Sequence, residues 1–224
     1  MALPLSVTGL EVAAPRGRRL LSVARLEVPG GALVGVRGPS GAGKSTFLHA
    51  LSGLVAFRGA VRWGGTDLGA LSAEGRAGFR AARMGMIFQD FLLFDELSPL
   101  GNAGLAALFA PQRVRADVQA RAAASLDRLK VPEDRRAVAS FSGGERQRVA
   151  VARALATNPS ILLADEPTAS LDRPSADRLI EDLTALVRQT GKTLIAVSHD
   201  SHLLDRMDRV LTIEDGVLSD GGTT

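Results

Sequence analysis

Apolar and polar residues alternate along the first part of the chain, which is the pattern of half-buried β-strands. Residues 3–13 (LPLSVTGLEVA) and 19–31 (RLLSVARLEVPGG) both alternate, and the second segment ends in a Pro-Gly-Gly turn signal. Residues 59–68 (GAVRWGGTDL) predict a further strand with a Gly-Gly turn, and Asp215-Gly216 marks a hairpin near the end of the chain. We therefore predict an antiparallel β part near the amino terminus.

Other short runs are apolar throughout and predict fully buried strands. They are residues 32–38 (ALVGVRG), 160–167 (SILLADEP) and 192–200 (KTLIAVSHD), and each ends in glycine or in polar residues. Residues 111–131 and 173–191 instead carry apolar residues at helical spacing. Strands that alternate with helices predict a mostly parallel sheet that binds its ligands at the carboxyl ends of the strands.

The middle of the chain, which is rich in alanine, arginine and leucine, predicts a helical lobe at about residues 91–154. We expect this lobe to be inserted into a core formed by about residues 1–90 and 155–224, all within one domain spanning 1–224. Hydrophobic residues make up 46% of the chain and cysteine is absent, so a chain of this length can bury its core without disulfides.

The charge balance excludes little, because the net charge is only +3. Only three of the 27 basic residues are lysines, but no dense basic run is present, so we interpret the arginine excess as compositional and expect no nucleic-acid partner. The first residues lack the pattern of a signal peptide, and no apolar run reaches the roughly 18–20 residues of a membrane span. We expect a soluble chain that reaches a membrane only through a partner.

A phosphate-loop pattern, G-x-x-x-x-G-K-[ST], occurs between a predicted strand and a predicted helix. In such a loop, backbone N–H groups surround a phosphate, Lys44 adds a positive charge at the β- and γ-phosphates, and Ser45 can bind Mg²⁺. We expect the whole loop to bind the nucleotide: Gly38, Pro39, Ser40, Gly41, Ala42, Gly43, Lys44, Ser45 and Thr46. By itself the loop leaves a kinase, a GTPase, a helicase and a transport motor open.

Polar side chains follow the other predicted parallel strands. Asp165 is placed to hold Mg²⁺ and Glu166 to polarise the attacking water, but neighbouring strand residues face opposite sides, so both roles require a bend there. Gln89 can contact Mg²⁺ or the water, and a neutral His199 can donate a hydrogen bond to the γ-phosphate. Because all of them follow parallel-type strands, we expect them to converge with Lys44 on one edge of the sheet.

Two adjacent glycines open a predicted helix in residues 140–155, SFSGGERQRVAVARAL. Ser142 and Glu145 have the spacing of a capping box. A cap does not need glycine at the first two helical positions, where each glycine costs up to about 1 kcal/mol relative to alanine. Gly143 and Gly144 therefore indicate either a plain turn or a helix end that a ligand approaches closely.

Taken together, these motifs resemble those of ATP-binding-cassette (ABC) ATPases over nearly the whole chain. The family's order is kept: phosphate loop, Gln89, FSGGERQR, ILLADEP, ASLD and His199. The resemblance implies an α/β P-loop cassette with a mostly parallel core sheet, an N-terminal antiparallel β part and an inserted helical lobe. It also implies ATP hydrolysis with ATP and Mg²⁺ as cofactors.

The same resemblance assigns roles to individual residues. Glu166 is similar to the family's catalytic base, His199 to its switch histidine, and Asp172 to the residue that signals across a dimer. A head-to-tail homodimer is implied, in which one copy presents its signature to the ATP held by the other copy's Lys44 loop. The signature residues in that arrangement are Ser142, Gly143, Gly144 and Glu145.

Longer segments, such as MIFQDFLLFDELSPLGNA and RMDRVLTIEDGVL, are most similar to the ATPases of lipoprotein-release and macrolide-export systems. This similarity implies membrane permease subunits as partners and leaves room for an accessory periplasmic protein that is reached through the permease. It implies a peripheral position on the cytoplasmic face of the inner membrane. A small-solute ABC importer remains an alternative, as does a soluble ABC ATPase outside transport.

The chain departs from the family where an aromatic residue usually stacks on adenine. That position falls near Ala13 or Ala14, and the chain contains no tyrosine. We predict weaker ATP affinity or poorer base discrimination, unless Arg16 or Arg18 covers the base with its guanidinium plane. The signature also begins with Phe141, where leucine is usual, which exchanges one apolar residue for another.

An unusually apolar segment follows Gln89, where a polar loop would be expected. We hypothesise that it forms part of a groove for a permease helix, with a simple core segment as the alternative. The residues concerned are Phe91, Leu92, Leu93, Phe94 and Leu97.

Overall fold

A computed structural model describes residues 2–15, 17–132 and 136–220. Its strands are β1 Leu5–Ala13, β2 Arg19–Val28, β3 Leu33–Arg37, β4 Arg58–Trp63, β5 Thr66–Asp67, β6 Met84–Ile87, β7 Ile161–Asp165, β8 Thr193–Val197, β9 Arg209–Glu214 and β10 Val217–Asp220. Its α-helices are α1 Lys44–Leu51, α2 Ala73–Arg83, α3 Pro99–Ala103, α4 Gln112–Arg128, α5 Gly143–Leu155, α6 Arg173–Thr190 and α7 Ser201–Leu204. Within these residues one sheet has the order β5-β4-β1-β2-β10-β9-β3-β8-β7-β6.

The antiparallel β part forms one end of this sheet, as the alternating pattern predicts. Strand β1 pairs antiparallel with β2 on one side and with β4 on the other, so that Leu5 lies opposite both Val28 and Trp63. The predicted hairpin is also confirmed: β9 and β10 pair antiparallel around Asp215 and Gly216, whose φ angles of 47° and 73° suit a tight turn.

The other end of the sheet is parallel. Strands β9, β3, β8, β7 and β6 lie side by side, and each pairs parallel with its neighbour. The chain therefore leaves β3, β6, β7 and β8 at the same edge, which is where the phosphate loop, Gln89, Asp165 and His199 occur in the sequence. The predicted convergence of these motifs on one edge is confirmed.

Consecutive residues of the parallel strands supply two different cores, because side chains alternate between the faces of a sheet. Leu162 and Leu194 belong to a cluster that contains residues of α4, α5 and α6. Leu163 and Ile195 belong to a second cluster, which contains α1 residues such as Phe47 and the inward side chains of β1 and β2. The sheet is thus covered on both faces, as buried parallel strands require.

The predicted helical region contains α3, α4 and α5, which pack against one another. Val118 and Leu126 of α4 lie in the same apolar cluster as Leu162 of β7, so this region shares its core with one face of the sheet. The lobe boundaries at about residues 91 and 154 stay a prediction.

In the part of the chain that the structure describes, no helix combines the length and apolar character needed to cross a membrane.

Candidate active site

The phosphate loop joins β3 to α1 and passes close to two other strands. Gly43 has a φ of 102°, and a Cβ atom there would lie 2.8 Å from the carbonyl oxygen of Leu20 in β2. At Gly38 a Cβ atom would overlap the carbonyl oxygen of Ile213 in β9. The path of the loop, and with it the direction of its N–H groups, therefore depends on glycine at both positions.

Lys44 begins α1 and is only 8% exposed. Its Nζ atom donates hydrogen bonds to the carbonyl oxygens of Gly38 and Pro39, at 2.8 and 3.0 Å, and lies 2.9 Å from Nε2 of His199. These acceptors offset the cost of burying the ammonium group.

The end of β7 has the bend that two different roles for Asp165 and Glu166 require. Strand β7 ends at Asp165, and Glu166 has a φ of 46°, which lies in the left-handed region. The Glu166 N–H donates to the carbonyl oxygen of Val197 at 2.9 Å and holds this conformation. The predicted bend is confirmed, and such a conformation in a non-glycine residue is more common at functional sites.

The Glu166 carboxylate turns toward the end of β8. Its Oε2 atom accepts the backbone N–H of His199 at 3.2 Å, and its Oε1 atom lies 3.4 Å from Nε2 of the same histidine. His199 therefore lies between the acid and Lys44, and its side chain is still 56% exposed toward the open cleft. Nε2 of His199 is thus within contact distance of both the Glu166 carboxylate and the Lys44 ammonium group.

Asp165 provides a donor atom that suits a hard cation. Its Oδ1 atom is buried and has no hydrogen-bond partner among the described residues, which is uncommon for a carboxylate oxygen. The described residues contain no group of three or more acidic, His or Cys side chains that could bind a metal by themselves. This combination fits Mg²⁺, which usually takes one or two protein oxygens and completes its shell with water and phosphate oxygens.

These groups surround a polar cleft of about 640 Å³. Its lining unites most of the predicted residues with three that the sequence reasoning missed, Thr168, Ala169 and Asp200. Each missed residue lies within three positions of a motif acid or of His199, which is the only signal that could have found them. The full lining is Ser40, Gly41, Gly43, Lys44, Ser45, Thr46, Gln89, Asp165, Glu166, Thr168, Ala169, His199 and Asp200.

The predicted capping box is present at the start of α5. The Glu145 N–H donates to Oγ of Ser142 at 3.3 Å, and the Ser142 N–H donates to Oε2 of Glu145 at 2.8 Å. That backbone hydrogen bond is the main reason why the pKa of Glu145 lies below its usual value. Of the described residues that line the polar cleft, none belongs to 142–145. One chain therefore does not bring its own signature to its own phosphate loop.

Asp172 has a structural role that the motif did not suggest. It is the N-cap of α6, and its Oδ1 atom accepts the Ser175 N–H at 3.0 Å. Hydrogen bonding to Ser175 holds the pKa of Asp172 below its usual range. Asp172 does not line the cleft of its own chain, so its signalling role across a dimer stays a prediction.

The sequence pattern of the family described as "ABC transporter" matches residues 21–169.

The chain belongs to the ABC transporter family.

Two relatives of this ABC cassette share about two fifths of its aligned residues. The lipoprotein-releasing system ATP-binding protein LolD of Novosphingobium aromaticivorans is 42% identical over 196 residues, which cover 86% of this chain and 87% of that protein. The macrolide export ATP-binding/permease protein MacB of Bradyrhizobium diazoefficiens is 41% identical over 201 residues, which cover 88% of this chain but only 30% of that protein. The predicted similarity to both groups is confirmed.

A solved ABC cassette confirms the predicted fold. The structure described as a dimeric post-hydrolysis state of the ATP-binding cassette MJ0796, bound to ADP and Pi, superposes with a TM-score of 0.86 at 29% identity. The match covers 98% of this chain and 100% of that chain.

A smaller cavity of about 270 Å³ adjoins the phosphate loop of the cassette. Its lining includes Arg18, the segment Pro39–Ala42 and Asp215, but neither Ala13 nor Ala14. Arg16 lies outside the described residues. Arg18 thus lies beside part of the predicted nucleotide-binding loop, and its contact with adenine stays a prediction.

An apolar cavity of about 700 Å³ is lined in part by β6, and the sequence did not predict it. Its walls come from α2, β6, the residues between α3 and α4, α4 itself and the end of α5. Phe109 at its rim is 85% exposed. No short segment carries this cavity, so no motif could have revealed it.

The five apolar residues predicted to form a groove do not line this cavity. Leu92 and Phe94 are about half exposed, whereas Leu93 packs against the core. Arg153, which does line the cavity, donates to the carbonyl oxygens of Phe91 and Leu92 and so fixes the turn beside it. The predicted segment is therefore next to the apolar cavity rather than inside it.

Proposed function

We propose that two copies of this ABC ATPase close head to tail on ATP–Mg²⁺, and that hydrolysis drives a membrane permease. One observation carries the proposal: the cleft contains the phosphate loop, both acids and His199, but its own chain's signature lies elsewhere. A second copy can supply that signature. The similar solved cassette MJ0796 is described as dimeric, which supports this arrangement.

Each group of the cleft has a task in hydrolysis. Lys44 turns its N–H donors from the carbonyls of Gly38 and Pro39 to the phosphates. The residues that would hold Mg²⁺ are Ser45, Asp165 and Gln89, and the ion would neutralise charge on the phosphate oxygens. Glu166 orients the attacking water and accepts its proton, while His199 donates a hydrogen bond to the γ-phosphate.

The signature completes the site from the partner copy. The start of α5 presents free N–H groups and about half an elementary positive charge, which suits a γ-phosphate. Gly143 and Gly144 leave this helix end bare, so a phosphate can approach it. Because the γ-phosphate contacts both copies, its loss on hydrolysis releases the dimer.

The apolar cavity beside β6 suits the permease contact. Its rim carries the exposed Phe109, and Arg153 connects it to the half-exposed segment around Leu92 and Phe94. Strand β6 links this surface to the nucleotide, since Met86 lines the apolar cavity and Gln89 lines the polar cleft. A permease helix docked here would place the cassette on the cytoplasmic face of the inner membrane.

The relatives favour one kind of transporter. The names of LolD and MacB point to lipoprotein release and macrolide export, so we propose a permease of that type, with an accessory periplasmic protein as a further partner. A small-solute importer would use the same cassette chemistry. Co-purification of the tagged chain with its permease, followed by sequencing of that subunit, distinguishes the two.

A gel-filtration experiment tests the dimer. Glu166→Gln should slow hydrolysis and elute as a dimer with ATP and Mg²⁺ but as a monomer without them. Gly144→Asp in the same background should remain monomeric, because an acidic side chain blocks the helix end. A Cβ atom at position 144 would lie 3.4 Å from Ser175, an ordinary contact, so the monomer should fold. An ATP-independent elution volume for Glu166→Gln would contradict the proposal.

A further inference from the structure

A cluster of charged side chains joins the first turns of α6 and α7 close to the cleft. We call it the α6–α7 clamp, and its members are Arg173, Asp177, Asp200 and His202. Arg173 lies at the centre: it contacts Oδ1 of Asp200 at 3.0 Å and Oδ1 of Asp177 at 2.6 Å. His202 lies 2.8 Å from Asp177 through its Nδ1 atom and closes the cluster.

Asp200 is the member of the clamp that faces the nucleotide. Its side chain is only 12% exposed, it lines the polar cleft, and it directly follows His199 in the chain. It accepts the His202 N–H at 3.0 Å and a hydrogen bond from Thr168. Burial raises the pKa of Asp200, but the hydrogen bonds from Arg173 and Thr168 outweigh this effect and leave it lowered, so the carboxylate stays charged at neutral pH.

The loop that carries His199 is held from two sides. On one side, Ser198 is fully buried and its N–H donates to the carbonyl oxygen of Val36 in β3 at 3.0 Å. On the other side, Asp200 is bound by Arg173. Between these anchors the imidazole of His199 is more than half exposed and meets only Lys44 and Glu166 among the contacts that the described residues provide.

We propose that Arg173 is a positioning residue for hydrolysis, which holds His199 toward the γ-phosphate by binding Asp200. Arg173 also directly follows Asp172 and begins α6, so the same side chain links the His199 loop to the segment that the resemblance assigns to signalling across the dimer. A change at that segment thus reaches His199 through one ion pair. This inference rests on the proposed function, because it assigns a partner to the histidine of that site.

A merely structural role predicts a different outcome. Arg173 and Asp177 are both about 40% exposed, and ion pairs at such sites contribute little to the stability of a fold. The chain offers a matched control at the other end of the same helix: Arg188 is 51% exposed, contacts Asp208 at 2.8 Å and donates to the carbonyl oxygen of Arg206, but it is not part of the cleft.

Steady-state kinetics of the full-length chain test the proposal. For Arg173→Gln we expect kcat to fall about tenfold while the KM for ATP changes less than about twofold, because a misplaced catalytic group affects the transition state more than ATP binding. Arg173→Lys keeps the positive charge but cannot contact Asp177 and Asp200 through two guanidinium nitrogens. Its kcat should therefore lie between those of wild type and Arg173→Gln. Arg188→Gln should keep the wild-type kcat, and both glutamine variants should melt within about 2 °C of each other.

A double variant shows whether Arg173 acts through His199. If it does, His199→Ala combined with Arg173→Gln should be no slower than His199→Ala alone. A further tenfold loss in the double variant would overturn the inference, as would an unchanged kcat in Arg173→Gln. If Arg173→Gln fails to fold, Asp177→Asn is the alternative test, because it weakens the contact of Arg173 with Asp177. This variant should lower kcat about threefold, and a wild-type kcat would overturn the inference. A wild-type chain that hydrolyses no ATP would instead overturn the proposed function itself.

Discussion

Two cavities of similar volume, about 640 and 700 Å³, flank the end of β6 and have opposite chemistry. The polar cleft is built from loops that follow parallel strands, and hydrogen bonds fix its charged groups. The apolar cavity is built from the sides of helices and an edge strand. The first can hold a charged ligand through directional contacts, whereas the second would bind a partner mainly by burying apolar surface.

This difference in chemistry would allow one small cassette to bind both a nucleotide and a permease. Met86 belongs to the apolar wall and Gln89 to the polar one, so the two sites are three residues apart on one chain segment. We predict that a movement of the β6 end on nucleotide binding also changes the apolar surface. The following predictions separate the two cavities or test their connection.

The largest effect is expected for Glu166, the proposed catalytic base in the polar cleft. Glu166→Gln keeps the shape of the side chain but cannot accept a proton, so kcat should fall about 10²- to 10⁴-fold. Phosphate release under steady-state conditions measures this loss. Glu181→Gln, an exposed change on α6, is the matched control and should retain activity. A kcat within threefold of wild type would remove Glu166 from the role of base.

A smaller but clear effect is expected for the metal. Asp165→Asn removes the charge of the carboxylate whose buried oxygen has no hydrogen-bond partner among the described residues. We expect the Mg²⁺ concentration for half-maximal rate to rise about 10- to 100-fold, as when partners of metal ligands are removed. A Mg²⁺ titration of the ATPase rate tests this. Asp117→Asn, on the exposed side of α4, is the control and should show the Mg²⁺ dependence of wild type. A wild-type Mg²⁺ dependence of Asp165→Asn would contradict the metal assignment.

Substitutions at the apolar surface should leave the polar cleft intact. Phe109→Ala and Phe94→Ala should each weaken permease binding about tenfold or more, as truncation of an aromatic anchor usually does. The ATPase rate of the isolated chain should stay unchanged, because both side chains are exposed and outside the cleft. Binding assays with the purified permease measure this loss of affinity. Leu54→Ala, a change of another exposed apolar residue, is the control and should bind like wild type. Phe94→Ala that only lowers the melting temperature would exclude Phe94 from the interface.

The smallest effect is expected where the base of the nucleotide lies. If Arg18 covers adenine, its removal costs about 0.5–1 kcal/mol, so Arg18→Ala should raise the KM for ATP about two- to fivefold without lowering kcat. Arg115→Ala, a change of an exposed arginine on α4, should leave the KM unaltered. An equal KM for Arg18→Ala and wild type would show that the base is held by other groups.

Contiguous motifs were predictable because each is determined locally. A phosphate loop needs its glycines and Lys44 in one short segment, and a capping box needs Ser142 and Glu145 three residues apart. The apolar cavity was not predictable, because its walls come from three stretches that are distant in the sequence, residues 78–86, 106–121 and 153–157. The same holds for the contact of Arg173 with Asp200, which are 27 residues apart.

The sequence by itself determined the family, the order of the strands' functional ends and the residues that can carry phosphate chemistry. These follow from hydrophobic periodicity and from residue types that only such chemistry requires. The tertiary structure decided how these residues face one another: the left-handed Glu166, the contact of Lys44 with His199, and the position of the signature away from its own cleft. The physical reason is that the packing of distant segments, rather than local preference, sets these distances.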